Sequence, residues 1–115
     1  MSVKQISDQE ILSMYLNYEK VEKGLSLNTL ESYGRDIAIY LDFLSKNKKT
    51  ILKANRVDIE KFLNERRDQG AKARTVARNK VSVVNLYKFL LMENYISKNP
   101  TDNLEVIRLK RIINY

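Results

Sequence analysis

The chain has 115 residues, of which 43% are apolar and 30% charged. That is enough for one domain around one core and too little for two. The absence of cysteine excludes a disulfide framework and a thiolate metal site, and the absence of histidine excludes a Ser-His or Cys-His nucleophile pair. No apolar run approaches the roughly 18 residues of a membrane helix, and the N-terminus lacks a signal-peptide core. A soluble, cytoplasmic protein is expected.

The formal net charge is +7, unevenly distributed. Residues 1–45 carry net −3, residues 46–88 net +9 and residues 89–115 net +1. Between Lys72 and Lys88 there are five basic residues and no acidic one. Such a block is either a solvated face or a surface for a polyanion, nucleic acid first among them.

Helical periodicity recurs four times, no strand pattern of useful length appears, and glycine and proline are scarce. An all-α fold with four main helices is expected. The first spans about 8–22, with Ser7 as N-cap, Glu10 at the capping-box position and Ile11, Leu12, Tyr15 and Leu16 on one face. Gly24 stops it. The second spans about 27–46, capped by Ser26 or Asn28, with Leu30, Tyr33, Ile37, Tyr40, Leu41 and Leu44 as its apolar stripe. Its opening, Leu25-Ser26-Leu27-Asn28-Thr29, can serve as a simple cap, as a phosphate cradle of free backbone N–H groups, or as both.

The third helix spans about 56–68, from Asn55 as N-cap to the break at Gly70, with Ile59, Phe62 and Leu63 inward. The fourth spans about 73–94. With Arg74 set at 0° and about 100° per residue, Val76, Val83, Tyr87 and Leu90 fall at about 160–220°, with Val84 and Leu91 near 260–280°. These form the expected core stripe. Arg74, Arg78, Ser82 and Asn85 fall on the opposite side, flanked by Thr75 and Asn79. Arg, Asn, Ser and Thr can bond base edges and phosphate oxygens at defined geometry, and a helix fits the major groove. Lys80 falls inside the apolar stripe, where it must either snorkel outward or pair with an acid. The polar stretch around Pro100 closes the helical part, and residues 104–115 read as a basic, apolar linker or arm.

Taken together, these segments resemble the N-terminal core-binding domain of tyrosine recombinases of the XerC/XerD and phage-integrase type. The resemblance starts at Tyr18-Glu19-Lys20-Val21-Glu22-Lys23-Gly24-Leu25-Ser26 and continues through Asn28-Thr29-Leu30-Glu31-Ser32-Tyr33-Gly34-Arg35-Asp36-Ile37. It goes on through Phe43-Leu44, Asp58-Ile59, Phe62-Leu63 and Ala73-Arg74-Thr75-Val76-Ala77-Arg78. It ends with Leu86-Tyr87-Lys88-Phe89-Leu90 and Asn99-Pro100. Lys80, where the family usually has an apolar residue, and Val81, where it often has a small one, depart from the pattern.

The resemblance implies a SAM-like module of two crossed helix hairpins, spanning 1–103, whose second and fourth helices face the major groove of a recombination site. By position it implies DNA contacts from Asn28, Thr29, Ser32, Arg35, Lys72, Arg74, Thr75, Arg78 and Asn85. It also implies three partners: double-stranded DNA, a C-terminal catalytic domain reached through the linker 104–115, and other recombinase protomers. The family's catalytic Arg, Lys, His-x-x-Arg and Tyr set cannot be present in a chain without histidine. This piece is therefore expected to bind and orient DNA, while the whole protein breaks and rejoins it through a phosphotyrosyl intermediate without metal or cofactor. Two other readings stay open: a stand-alone helix-turn-helix regulator, and a helical protein-interaction module with a basic face. The DNA reading fails if Arg74 and Arg78 are both occupied by intramolecular carboxylates. It expects their double replacement by alanine to leave the fold intact.

Overall fold

Three of the four helices begin where a side chain offers an oxygen to a free backbone N–H. In a computed structural model that describes residues 6–104, Ser7 caps α1 (Asp8–Val21), accepting from the Glu10 amide while Glu10 bonds the Ser7 amide in return. Ser26 caps α2 (Leu27–Lys46) by accepting from the Thr29 amide. Asn55 and Asp58 form a second reciprocal box at the start of α3 (Arg56–Asp68). α4 (Ala73–Met92) starts at Lys72 without a side-chain cap. Gly24 and Gly70 take φ of +63° and +96° just beyond α1 and α3, a conformation that costs other residues strain.

The four helices fall close to their expected bounds, and α4 ends two residues early. A short 3-10 turn at Ile51–Lys53, which periodicity did not reveal, joins α2 to α3. It buries Ile51 completely. Asp8 at the start of α1 accepts from the Ile51 amide at 3.1 Å, tying this mid-chain turn to the first helix. Burial raises the Asp8 pKa above the ordinary carboxylate value, and that backbone bond offsets part of the rise.

α1 and α2 form one hairpin, α3 and α4 the other, and the two meet mainly through α2 and α4. The core is built from Ile11, Tyr15, Ile37, Tyr40, Leu44, Ile51, Ile59, Phe62, Leu63, Val83, Leu86, Tyr87 and Leu90. At its centre Tyr87 donates to the Ile51 carbonyl oxygen at 2.8 Å. Its hydroxyl proton is thereby used, so Tyr40 is the donor in the 2.7 Å bond between the two phenols. This chain of bonds satisfies two hydroxyls that would otherwise be stranded among apolar side chains. Residues 105–115, most of the expected linker, lie outside the described residues.

The rotation of α4 differs from the sequence expectation. Its buried residues, Val76, Asn79, Ser82, Val83, Leu86, Tyr87, Phe89 and Leu90, span an arc of about 60–220° on the scale used above. The expected core stripe is therefore displaced by roughly a fifth of a turn. Ser82 and Asn79, placed on or beside the exposed face, are completely buried, whereas Leu91 is exposed. The cause is a buried carboxylate on α2 that draws both polar side chains inward. Lys80 sits half-buried at the margin of the buried arc and makes no ion pair among the described residues, which fits the snorkelling alternative.

Candidate nucleic-acid interface

That carboxylate is Asp36, which has no exposed surface. Arg78 grips it in a fork: Nε donates to Oδ2 at 3.0 Å and Nη2 to Oδ1 at 2.8 Å. Asn79 Nδ2 donates to Oδ1 at 2.9 Å, and Ser82 Oγ to Oδ2 at 2.7 Å. The network continues into α3, where Arg66 Nε donates to Asn79 Oδ1 at 3.1 Å. One α2 carboxylate thus receives four donors from three residues of α4, which satisfies a charge that would be costly to bury alone. The hydrogen bond to Asp36 raises the Arg78 pKa above the ordinary guanidinium value, outweighing the opposing effect of burial.

The same contacts set the sense of the two helices. Asp36 meets Asn79 and Ser82, and Tyr40 meets Tyr87, so residue numbers rise together along the α2–α4 contact. The N-terminal halves of α2 and α4 therefore lie toward one end of the molecule. One carries Asn28 to Arg35 and the other Lys72 to Arg78. The positive ends of both helix dipoles and the cations beside them share that end.

Among the expected contact residues, Asn28, Arg35, Lys72 and Arg74 are exposed, and Thr29, Ser32, Thr75 and Asn85 are half-buried. The Thr29 hydroxyl is occupied by Ser26 Oγ at 3.0 Å, so the opening of α2 is at least a cap. Arg78 departs most from expectation. It is held by an intramolecular carboxylate, so its replacement by alanine strands part of a buried charge and does not leave the fold untouched. Its side chain is nevertheless 44% exposed, and three of its five N–H donors remain after the fork to Asp36. Arg74 makes no ion pair among the described residues, and neither do Lys72 and Lys88. Elsewhere in the basic block Lys46 pairs with Asp42, Lys49 with Asp58, Arg56 with Glu60 and Arg67 with Asp68, while Lys48, Lys53 and Lys61 are exposed and make no ion pair among the described residues. The outer arc of α4 also carries Ala77 and Val81, the latter 47% exposed.

Asp36 is the residue that sequence reasoning passed over. The available signal was a carboxylate three residues after Tyr33 and four before Tyr40, inside the apolar stripe of α2. Among the described residues no group of three acidic side chains is placed to hold a metal ion, and no helix is long and apolar enough to cross a membrane.

Residues 12–94, from the second turn of α1 to just past α4, match the family of the phage integrase N-terminal SAM-like domain. Curated relatives include the tyrosine recombinase XerD of Pasteurella multocida, 32% identical over 96 residues, which are 84% of this chain and 32% of that protein. XerD of Oceanobacillus iheyensis is 34% identical over 99 residues, 84% of this chain and 33% of that protein. XerD of Haemophilus influenzae is 35% identical over 91 residues, 79% of this chain and 31% of that protein. The chain thus spans about a third of the length of the curated relatives it matches. No solved structure matches it. The four helices, the α2–α4 packing and the match over nearly the whole helical region place this chain in the family of phage integrase N-terminal SAM-like domains.

Proposed function

We propose that the chain is the DNA-binding part of a site-specific tyrosine recombinase, and that the shared end of α2 and α4 enters the major groove of the recombination site. The observation that carries this reading is the distribution of unpaired cations. Lys72 and Arg74, exposed and without an ion-pair partner among the described residues, sit beside the N-terminus of α4 at the end it shares with α2, whereas the other exposed cations without a pair, such as Lys48, Lys53, Lys61 and Lys88, are scattered elsewhere on the fold. Unpaired cations beside helix N-termini favour phosphates, which set affinity, while Asn28, Ser32, Thr75 and Asn85 are the candidates for base edges or further phosphate bonds.

The relatives' name, tyrosine recombinase, and their threefold greater length support a catalytic domain outside the matched region, and other protomers on the same DNA are the further proposed partners. The segment 104–115 is the proposed link to that domain, and the cytoplasm is the proposed compartment. This part binds and orients, and the chemistry belongs to the remainder. A helix-turn-helix regulator fits less well, because α4 is a 20-residue helix with half its circumference in the core.

The test is a titration of a labelled duplex carrying candidate sites at two salt concentrations. Binding that weakens steeply with salt and prefers one site is the expected result. Equal affinity for DNA and an acidic polypeptide, with no dependence on site, refutes the reading in favour of a general acidic-partner module.

A further inference from the structure

Arg78 is chemically two-sided. One edge of its guanidinium closes on a carboxylate with no exposed surface, while nearly half of the side chain faces solvent on the outer arc of α4. The fork fixes the plane of the group, because two N–H bonds to two oxygens of one carboxylate leave it no free rotation. Asp36 is itself held by Asn79 and Ser82, so the clamp does not depend on Arg78 alone. An arginine on an exposed helix face ordinarily loses the freedom of a long side chain when it takes a ligand; this one has already lost it.

Building on the proposed DNA face, we infer that Asp36 is a positioning residue for DNA binding: it holds Arg78 with its remaining N–H donors set for a backbone phosphate in line with Lys72 and Arg74. Asp36 touches no DNA. The fork also accounts for an arginine at this position, since a lysine ammonium cannot grip both carboxylate oxygens in plane and still offer oriented donors outward.

The inference opposes plain charge counting, which makes it testable. Asp36→Asn removes one negative charge from a chain of net +7, and counting charges therefore expects tighter binding to a polyanion. Positioning expects the reverse. The replacement amide turns donors toward the guanidinium, the fork opens, and the side chain must be ordered by the DNA itself. Binding should weaken about 2- to 12-fold, the usual cost of immobilising one such side chain. The salt slope should stay unchanged, because Arg78 keeps its charge. Ser82→Ala removes a 2.7 Å bond to the same carboxylate but leaves the fork in place, and its affinity should match the wild type.

The measurement uses the whole chain and a mixed-sequence duplex of roughly three helical turns, with the folded fraction checked by circular dichroism. Weaker binding by folded Asp36→Asn, with Ser82→Ala unaffected, supports the inference, whereas binding at least as tight as wild type overturns it. If Asp36→Asn does not fold, NMR of the wild-type arginine Nε–Hε signals decides. An Arg78 signal already sharp in the free protein and shifted by duplex supports the inference, and one that stays still while that of Arg74 moves overturns it. Failure of the underlying DNA reading is recognised separately, by a Lys72→Ala/Arg74→Ala variant that binds duplex as well as the wild type.

Discussion

Replacing Lys72 and Arg74 together by alanine removes two exposed cations that make no ion pair among the described residues. Lys72 precedes α4 without a capping side-chain bond, and its positive charge sits at the unfavourable end of the helix dipole. The fold should therefore keep its melting temperature. The effect on DNA is calculable. If Arg35, Lys72, Arg74 and Arg78 each neutralise one phosphate, the logarithm of the binding constant falls against log salt with a slope of about −3.6. Raising salt from about 50 to about 200 mM then weakens the wild type by about 150-fold. The double variant keeps two contacts, has a slope of about −1.8, and weakens only about 12-fold over the same range. Fluorescence anisotropy of a labelled duplex at several salt concentrations gives both slopes. Equal slopes in the two proteins, with both fully helical, refute the placement of DNA on this face.

Two further outcomes concern the scaffold. Tyr87→Phe leaves the Ile51 carbonyl and the Tyr40 hydroxyl unpaired in the core and should lower unfolding stability by about 1–3 kcal/mol in urea. An unchanged midpoint shows that these groups find other partners. Burial pushes the hydroxyl pKa of Tyr15, Tyr40 and Tyr87 well above the ordinary value, so the neutral phenols are favoured in the folded state. The stability linked to them is complete below the unfolded value of about 10 and lost as pH rises above it. Phenolate absorbance from these three should appear only with loss of helical circular dichroism. Their ionisation while the helices remain intact contradicts the buried network.

The helices were legible because their signals are local. Ser7 with Glu10, and Asn55 with Asp58, are reciprocal caps written within four residues, and Gly24 and Gly70 mark the stops by a backbone conformation that glycine adopts at little cost. The family resemblance was legible for the same reason: its motifs run along the chain in order, and the matched region begins and ends within helices the sequence had already outlined. The block of positive charge was legible from counting alone.

Tertiary structure decided which of those charges remain available and which way α4 turns. Periodicity treats Ser82 and Asn79 as polar and therefore outward, because it cannot know that a carboxylate 43 or more residues earlier in the chain will meet them. Burying that carboxylate is tolerable only when several donors surround it, and assembling those donors rotates α4 and takes one edge of Arg78 out of solvent. The shared direction of α2 and α4, which brings their cationic ends together, likewise depends on contacts between residues distant in sequence, such as Tyr40 with Tyr87. Local sequence determined the elements and their sign of charge; long-range desolvation and hydrogen bonding determined the face they present.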